Sequence, residues 1–207
     1  MKKNISILIA DDHKIVRMGL KSLLAAEKDF TVVGEAEDGE IAVRLAIRLK
    51  PDIVIMDLVM PKKDGVIATR ELHERLPETK VVVLTSYSTS DTIAAALAVG
   101  AGGAVMKSAD DNDLISAIRA VHAGDTFISP EVKGLLASDP PAPTISKRQL
   151  EVLQALVKGF NNAEIADQLG ISRTVVKDHV ETLLSKLGAA NRTELTAIAI
   201  RKNLLKD

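Results

Sequence analysis

The chain of 207 residues contains no cysteine and no tryptophan, and aromatic residues make up only 2% of it. The lack of cysteine excludes disulfides and thiolate metal sites. With so few aromatic rings, any core has to be built from aliphatic side chains. The sequence also lacks a long apolar run near its start, because the run from Ile5 to Ala10 ends at two aspartates. This run is too short for a signal core or a membrane span, so we expect a strand there.

Length and charge indicate two domains with different partners. A chain of this length with 46% hydrophobic residues can form two domains, each with its own core. Residues 144–207 carry ten lysines and arginines against seven acids, a net charge of +3, whereas residues 1–143 carry 17 against 21, a net charge of −4. An acidic part suits metal and phosphate chemistry, and a basic part suits nucleic acid.

The first part alternates short apolar runs with amphipathic helical patterns, which predicts an α/β fold with a doubly wound, five-stranded parallel sheet. The apolar run Ile53–Met56 predicts a buried strand that ends at Asp57. Three other predicted strands also end at polar residues, which are Asp11, Asp12, Thr85 and Lys107. Because ligands bind at the carboxyl edge of such sheets, we expect these side chains to converge there.

This predicted rim brings three carboxylates close together. They cannot all stay ionised unaided, because like charges raise one another's pKa. A divalent cation with oxygen ligands resolves the conflict, and Mg²⁺ is the natural choice where phosphate is also handled. The rim therefore predicts a magnesium site at which a carboxylate accepts phosphate.

The last part of the chain predicts an all-α domain of four helices. Ser146 with Gln149 predicts a capping box at its first helix. The pair Gly170-Ile171 predicts a turn, after which Ser172 caps a longer helix over Arg173–Leu187. Two helices joined by such a turn predict a helix-turn-helix.

A proline-rich stretch at residues 138–143 predicts an extended connection between the two parts. The predicted division is a first domain at 1–124, a linker at 125–143 and a second domain at 144–207.

These motifs together resemble a known family. The strand-end residues, with Pro61 and Gly65 after Asp57, are similar to the flavodoxin-like receiver domain of two-component response regulators. The tail resembles the LuxR-type helix-turn-helix at Asn162, Glu164, Ile165, Ala166, Leu169, Ser172, Val176, Lys177, His179, Lys186, Leu187 and Arg192. Nearly the whole chain therefore resembles the NarL/FixJ subfamily, which joins these two domains.

The resemblance implies a role for each motif. Asp57 would be the phosphoacceptor for a sensor histidine kinase, assisted by Thr85 and Lys107. Mg²⁺ would be held by Asp11, Asp12, Asp57 and the backbone carbonyl of Val59. Contacts to double-stranded promoter DNA would come from Ser172, Arg173, Val176, Lys177, Asp178, Glu181, Lys186 and Arg192. The expected protein is a cytoplasmic transcription regulator that forms a homodimer when phosphorylated, with no membrane partner.

Two positions depart from the family pattern. Ala104 stands where relatives usually carry an aromatic residue that moves together with Thr85. We therefore expect Tyr87, or repacking of the helix 91–99, to transmit the movement. Val59 and Tyr87 offer no carboxylate or amide to orient a hydrolytic water, which predicts slow self-dephosphorylation.

The sequence leaves one alternative function open and disfavours another. Ala104 leaves open a regulator that binds DNA without phosphorylation and uses its receiver only to oligomerise. An aspartyl-phosphate hydrolase would need a second acid just after Asp57, where the chain has Leu58 and Val59. His13 beside the acidic pair is expected to be a helix-start residue, and we expect the protein not to be an enzyme.

Overall fold

A computed structural model describes residues 4–86, 89–141, 143, 145–202 and 204–205. The chain divides into two compact units, Met1–Pro140 and Pro141–Asp207.

The first unit is a parallel sheet with helices on both faces. Its strands are β1 (Ile5–Ala10), β2 (Phe30–Ala36), β3 (Ile53–Met56), β4 (Lys80–Thr85), β5 (Gly103–Met106) and β6 (Phe127–Ile128). Its helices are α1 (Lys14–Ala25), α2 (Gly39–Leu49), α3 (Gly65–Arg75), α4 (Ser90–Ala98), α5 (Asp111–Ala123) and α6 (Pro130–Ser138). The strand order is β2-β1-β3-β4-β5-β6, and every pairing is parallel.

The central strand β3 is buried on both faces, as its continuous apolar run predicted. Side chains alternate between the faces of a strand. In β3, Ile53 and Ile55 accordingly join one apolar cluster, whereas Val54 and Met56 join the cluster on the other face. Covering both faces leaves the carboxyl edge as the place where polar side chains can meet.

The predicted count of five strands is wrong, because the described residues form six. The additional strand, β6, is only two residues long and pairs Phe127 with Gly103 and Ile128 with Ala104 of β5. Such a short segment has no readable periodicity, and its hydrogen bonds are made to a strand more than 20 residues away.

Helix α6 also lies inside the range that was predicted to be a linker. Ser129 caps it by accepting a hydrogen bond from the Val132 amide, and Pro130 occupies its first turn. Val132 is fully buried, so this part of 125–143 is packed rather than extended. We propose that the connection is limited to the residues between α6 and α7.

The second unit contains four helices among its described residues: α7 (Lys147–Val157), α8 (Asn162–Leu169), α9 (Arg173–Leu187) and α10 (Arg192–Arg201). Their inward faces form one aliphatic cluster, which includes Leu153, Ile165 and Leu195. The capping box of Ser146 and Gln149 is confirmed. No described helix of either unit has the length and apolar character needed to span a bilayer.

Candidate functional site

The strand register brings the predicted polar residues to one edge of the sheet. Met56 is aligned with Ala10 on one side and with Val83 on the other, and Thr85 is aligned with Met106. The residues that end or directly follow these strands are therefore neighbours. They are Asp11, Asp57, Thr85 and Lys107.

Lys107 joins two of the carboxylates. Its Nζ lies 2.6 Å from Oδ2 of Asp57 and 2.5 Å from Oδ2 of Asp11. Burial alone would lower the pKa of Lys107, but hydrogen bonds to Asp11 and Asp57 outweigh this effect and raise it. Lys107 therefore stays charged in this site.

Asp57 is almost completely buried, with 5% of its surface exposed. Burial raises the pKa of its carboxyl group, and the hydrogen bond from Lys107 acts in the opposite direction. Its Oδ1 also accepts a long hydrogen bond, 3.4 Å, from the amide of Val59. The carboxylate thus has one oxygen paired with an ammonium group and the other only weakly engaged.

The turn after β1 presents the acidic pair. The amide of His13 donates to Oδ1 of Asp11 over 2.8 Å, and a guanidinium nitrogen of Arg17 donates to the Asp11 carbonyl over 2.7 Å. Asp12 is exposed, and its carboxylate lies 2.7 Å from Nδ1 of His13. His13 occupies the cap position of α1, although its side chain makes no capping hydrogen bond.

Four side chains bring possible metal ligands together. One ligand atom from each of Asp11, Asp12, His13 and Asp57 lies within 4.8 Å of the others. The three carboxylates were predicted as ligands from the sequence. The position of His13 in this group was not predicted, although its place directly after the acidic pair was the available signal.

A cavity of about 230 Å³ opens over the carboxylates. Its lining residues are Asp12, His13, Val16, Asp57, Val59, Thr85, Ser86 and Lys107. Thr85 is buried and Val59 is largely exposed. Ser86, which directly follows Thr85 at the same strand end, was not among the predicted site residues. Tyr87 is one of the two predicted routes for transmitting the movement of Thr85, and it lies outside the described residues.

The helix-turn-helix is formed by α8 and α9. Gly170 takes the left-handed conformation between them, with φ of 63°. Ser172 caps α9 by accepting from the Val175 amide. Among the predicted DNA contacts, the exposed residues are Ser172, Arg173, Lys177, Asp178, Glu181 and Lys186.

Two of the residues predicted to contact DNA make contacts within the second unit. Val176 is fully buried in the apolar cluster of the second unit, and its contact with DNA stays a prediction. Arg192 donates to the Phe160 carbonyl and to Oδ1 of Asn162, the latter over 3.2 Å, and is only partly exposed.

Comparison with known proteins assigns both units to families. Residues 7–119 match the response regulator receiver domain, and residues 143–199 match the bacterial regulatory proteins of the luxR family. The transcriptional regulatory protein LiaR of Bacillus subtilis (strain 168) is 37% identical over 209 residues, which cover 97% of this chain and 99% of LiaR.

Two solved structures of RcsB bound to DNA are similar to the chain. In one, two RcsB dimers are bound to two parallel DNAs; the TM-score is 0.71 at 28% identity, with 97% of this chain and 99% of that chain covered. The other is RcsB from Salmonella enterica serovar Typhimurium, bound to promoter rprA in the presence of phosphomimetic BeF₃⁻. Its TM-score is 0.70 at 30% identity, with 94% and 98% covered. The chain therefore belongs to the response regulators of the NarL/FixJ type, transcriptional regulators in which a receiver domain is joined to a LuxR-type helix-turn-helix DNA-binding domain.

Proposed function

We propose that Asp57 accepts a phosphoryl group from a sensor histidine kinase, and that this promotes dimerisation and binding to promoter DNA. The observation that carries the proposal is the position of Asp57. Its buried carboxylate lies at the floor of an open cavity, 2.6 Å from the Lys107 ammonium and beside two further aspartates.

The donor set fits Mg²⁺. Asp11, Asp12 and Asp57 offer carboxylate oxygens, the ligand type that this hard cation prefers, and Val59 carries the proposed carbonyl ligand on the same cavity wall. When bound, Mg²⁺ would neutralise negative charge on the phosphoryl oxygens.

The side chains suit a transfer to carboxylate. An oxygen of Asp57 attacks phosphorus while the bond between phosphorus and the kinase histidine nitrogen breaks, and the electron pair of that bond returns to the imidazole. The product is an acyl phosphate on Asp57. Lys107, already within reach, would pair with one phosphoryl oxygen, and the Thr85 hydroxyl would donate to another.

The lifetime of this acyl phosphate should be long. Val59 lines the cavity beside Asp57, and its side chain cannot orient a water molecule for hydrolysis. We therefore retain the prediction of slow self-dephosphorylation.

The exposed face of α9 is the proposed reader of DNA. Arg173 and Lys177 would contact phosphate or guanine, while Asp178 and Glu181 can accept hydrogen bonds from cytosine. Nζ of Lys177 lies 3.6 Å from Oε1 of Glu181. Both side chains are well exposed, so either one is available to DNA. The RcsB structures on DNA support a dimer as the binding species. We place this activity in the cytoplasm.

The test combines sedimentation with DNA binding at controlled salt. Beryllofluoride with Mg²⁺ stands in for the phosphoryl group on Asp57. We expect it to shift the wild type toward dimers and to tighten DNA binding by about tenfold. Asp57→Asn should not respond, whereas Asp64→Asn, which changes an exposed aspartate of the same loop, should respond like the wild type.

The alternative regulator, which would not need phosphorylation, makes a different prediction. If the wild type and Asp57→Asn form the same oligomer and bind DNA equally with and without beryllofluoride, the receiver acts only as an oligomerisation module.

A further inference from the structure

One apolar cluster links the phosphoacceptor loop to helix α6. We call it the α4–α6 cluster. Its buried members are Leu58, Val83, Ile93, Ala96, Ala101, Ala104 and Val132, and partly buried residues such as Leu135 and Leu136 pack against it. Leu58 directly follows Asp57, and Val83 lies two residues before Thr85. Helix α6 therefore packs on the same side chains that adjoin the phosphorylation site.

Backbone hydrogen bonds hold the start of α6 against β5. Strand β6 pairs with β5, and the amide of Ser129 donates to the carbonyl of Ala104 over 3.0 Å. Ala104 itself is buried beneath this segment. Its small side chain leaves the volume over β5 to α6, because a larger residue would compete with Val132 for the same space.

A polar contact holds the other end of α6. The Ser90 hydroxyl donates to Oδ2 of Asp139 over 2.9 Å. Ser90 is the first residue of α4 and is fully buried, and Asp139 caps the carboxyl end of α6. A hydrogen bond between a buried hydroxyl and a carboxylate is stronger than an ordinary neutral one. The beginning of α4 and the end of α6 are therefore tied together.

Phosphorylation of Asp57 can affect the hydrogen bond between Ser90 and Asp139. A phosphoryl group on Asp57 adds acceptor oxygens that attract the Thr85 hydroxyl and the Lys107 ammonium. These two residues are coupled, since the amide of Lys107 donates to the Thr85 carbonyl over 2.9 Å. Thr85 ends β4, and Val83 of the same strand packs with Ile93 of α4 in the α4–α6 cluster, so a displacement of Thr85 is passed to α4 through this packing.

We infer that α6 is a phosphorylation-dependent latch: phosphorylation of Asp57 breaks the Ser90–Asp139 hydrogen bond, which makes release of α6 from the α4–α6 cluster roughly tenfold more frequent. The inference rests on the proposed phosphoacceptor role of Asp57. Asp139 lies one residue before the end of the first unit, so release of α6 lengthens the connection that follows. The nine residues of α6 would add about 30 Å of reach if they became extended.

Hydrogen–deuterium exchange of the α6 amides in the full chain tests the latch. Fluorine NMR of beryllofluoride first establishes whether the mimic binds the wild type in the presence of Mg²⁺. With the mimic bound, we expect the α6 amides to exchange roughly tenfold faster, as the loss of one charge-assisted hydrogen bond implies.

Variants test the same contact without the mimic. Asp139→Ala should exchange roughly tenfold faster in α6 than the wild type. Asp139→Asn retains an oxygen that can accept from Ser90 but loses the negative charge, so its exchange should lie between those of the wild type and Asp139→Ala. Lys133→Ala changes an exposed residue of the same helix and serves as the matched control.

Each outcome decides the inference. If the mimic binds and α6 exchange does not change, the latch is overturned while the phosphoacceptor role stands. If the mimic does not bind, the phosphoacceptor role fails, and phosphorylation control of α6 fails with it. Unchanged exchange in Asp139→Ala overturns the latch whether or not the mimic binds.

Discussion

At the scale of single residues, the site depends on one position that must lack a side chain. A Cβ atom at Gly65 would lie 2.0 Å from the backbone carbonyl oxygen of Asp57 and 2.8 Å from the Cα of Leu58. These are backbone atoms, which cannot rotate away as a flexible side chain can. The Gly65 amide also donates to the Leu58 carbonyl, so the loop is closed tightly beneath Asp57.

We predict that Gly65→Ala destabilises the receiver by about 3 kcal/mol, since the backbone around Asp57 has to shift. It should also weaken binding of beryllofluoride, because the Asp57 carboxylate moves with its carbonyl. Urea unfolding and fluorine NMR measure the two effects.

The matched control is Gly134→Ala in α6, where a Cβ would have no atom within 4 Å. This change should stabilise the receiver by about 0.5–1 kcal/mol, because alanine favours a helix more than glycine does. Equal stability of the two variants would contradict the close approach at Gly65.

At the scale of elements, α9 has one buried face and one exposed face. Val176 and Leu183 are buried in the core of the second unit, whereas Arg173, Lys177 and Asp178 are exposed. The helix can therefore be held firmly while its outer face remains free for DNA. Arg192, at the start of α10, belongs to the packing of the unit, because it donates to the carbonyl of Phe160.

We predict that Lys177→Ala and Arg192→Ala have different effects. Lys177→Ala should weaken DNA binding, reduce the slope of log affinity against log salt by about one, and leave the free energy of unfolding unchanged within about 0.5 kcal/mol. Arg192→Ala should destabilise the second unit by about 1–3 kcal/mol, since it leaves the Phe160 carbonyl without this charged donor.

Chemical denaturation and a salt series of DNA binding separate these effects. An Arg192→Ala protein of wild-type stability that loses DNA affinity and salt dependence would support the prediction that Arg192 contacts DNA.

At the scale of the whole molecule, the proposed metal site and the helix-turn-helix belong to two units with separate cores. The proposed metal site lies in the first unit, and the mildly basic helix-turn-helix lies in the second. A ligand that binds only folded receiver stabilises that unit by mass action.

We predict that Mg²⁺ raises the melting temperature of the receiver transition in calorimetry of the full chain. At roughly 100 times its Kd, the stabilisation should be about 2.7 kcal/mol. Removal of Mg²⁺ with a chelator should reverse the shift, and Asp57→Asn should reduce it. Lys177→Ala should retain it, because Lys177 lies in the other unit. An equal shift in Asp57→Asn would argue against Asp57 as a ligand.

Much of the fold and the site followed from local sequence. Apolar runs that end in Asp57 or Lys107 predicted the carboxyl edge, because parallel strands in such a sheet end on the same side. The helix caps at Ser146 and Ser172 are confirmed, since a cap depends only on residues within one turn. Chemistry that is complete within a few consecutive residues can be predicted without the folded chain.

Other features arise from contacts between distant segments, and these required the folded chain. Strand β6 exists only because β5 is beside it, and the tie between Ser90 and Asp139 joins residues 49 positions apart. The burial of Val176 and the pairing of Arg192 likewise depend on neighbouring helices. Periodicity shows which residues are apolar, but the partners of a side chain and the direction it faces are set by long-range packing.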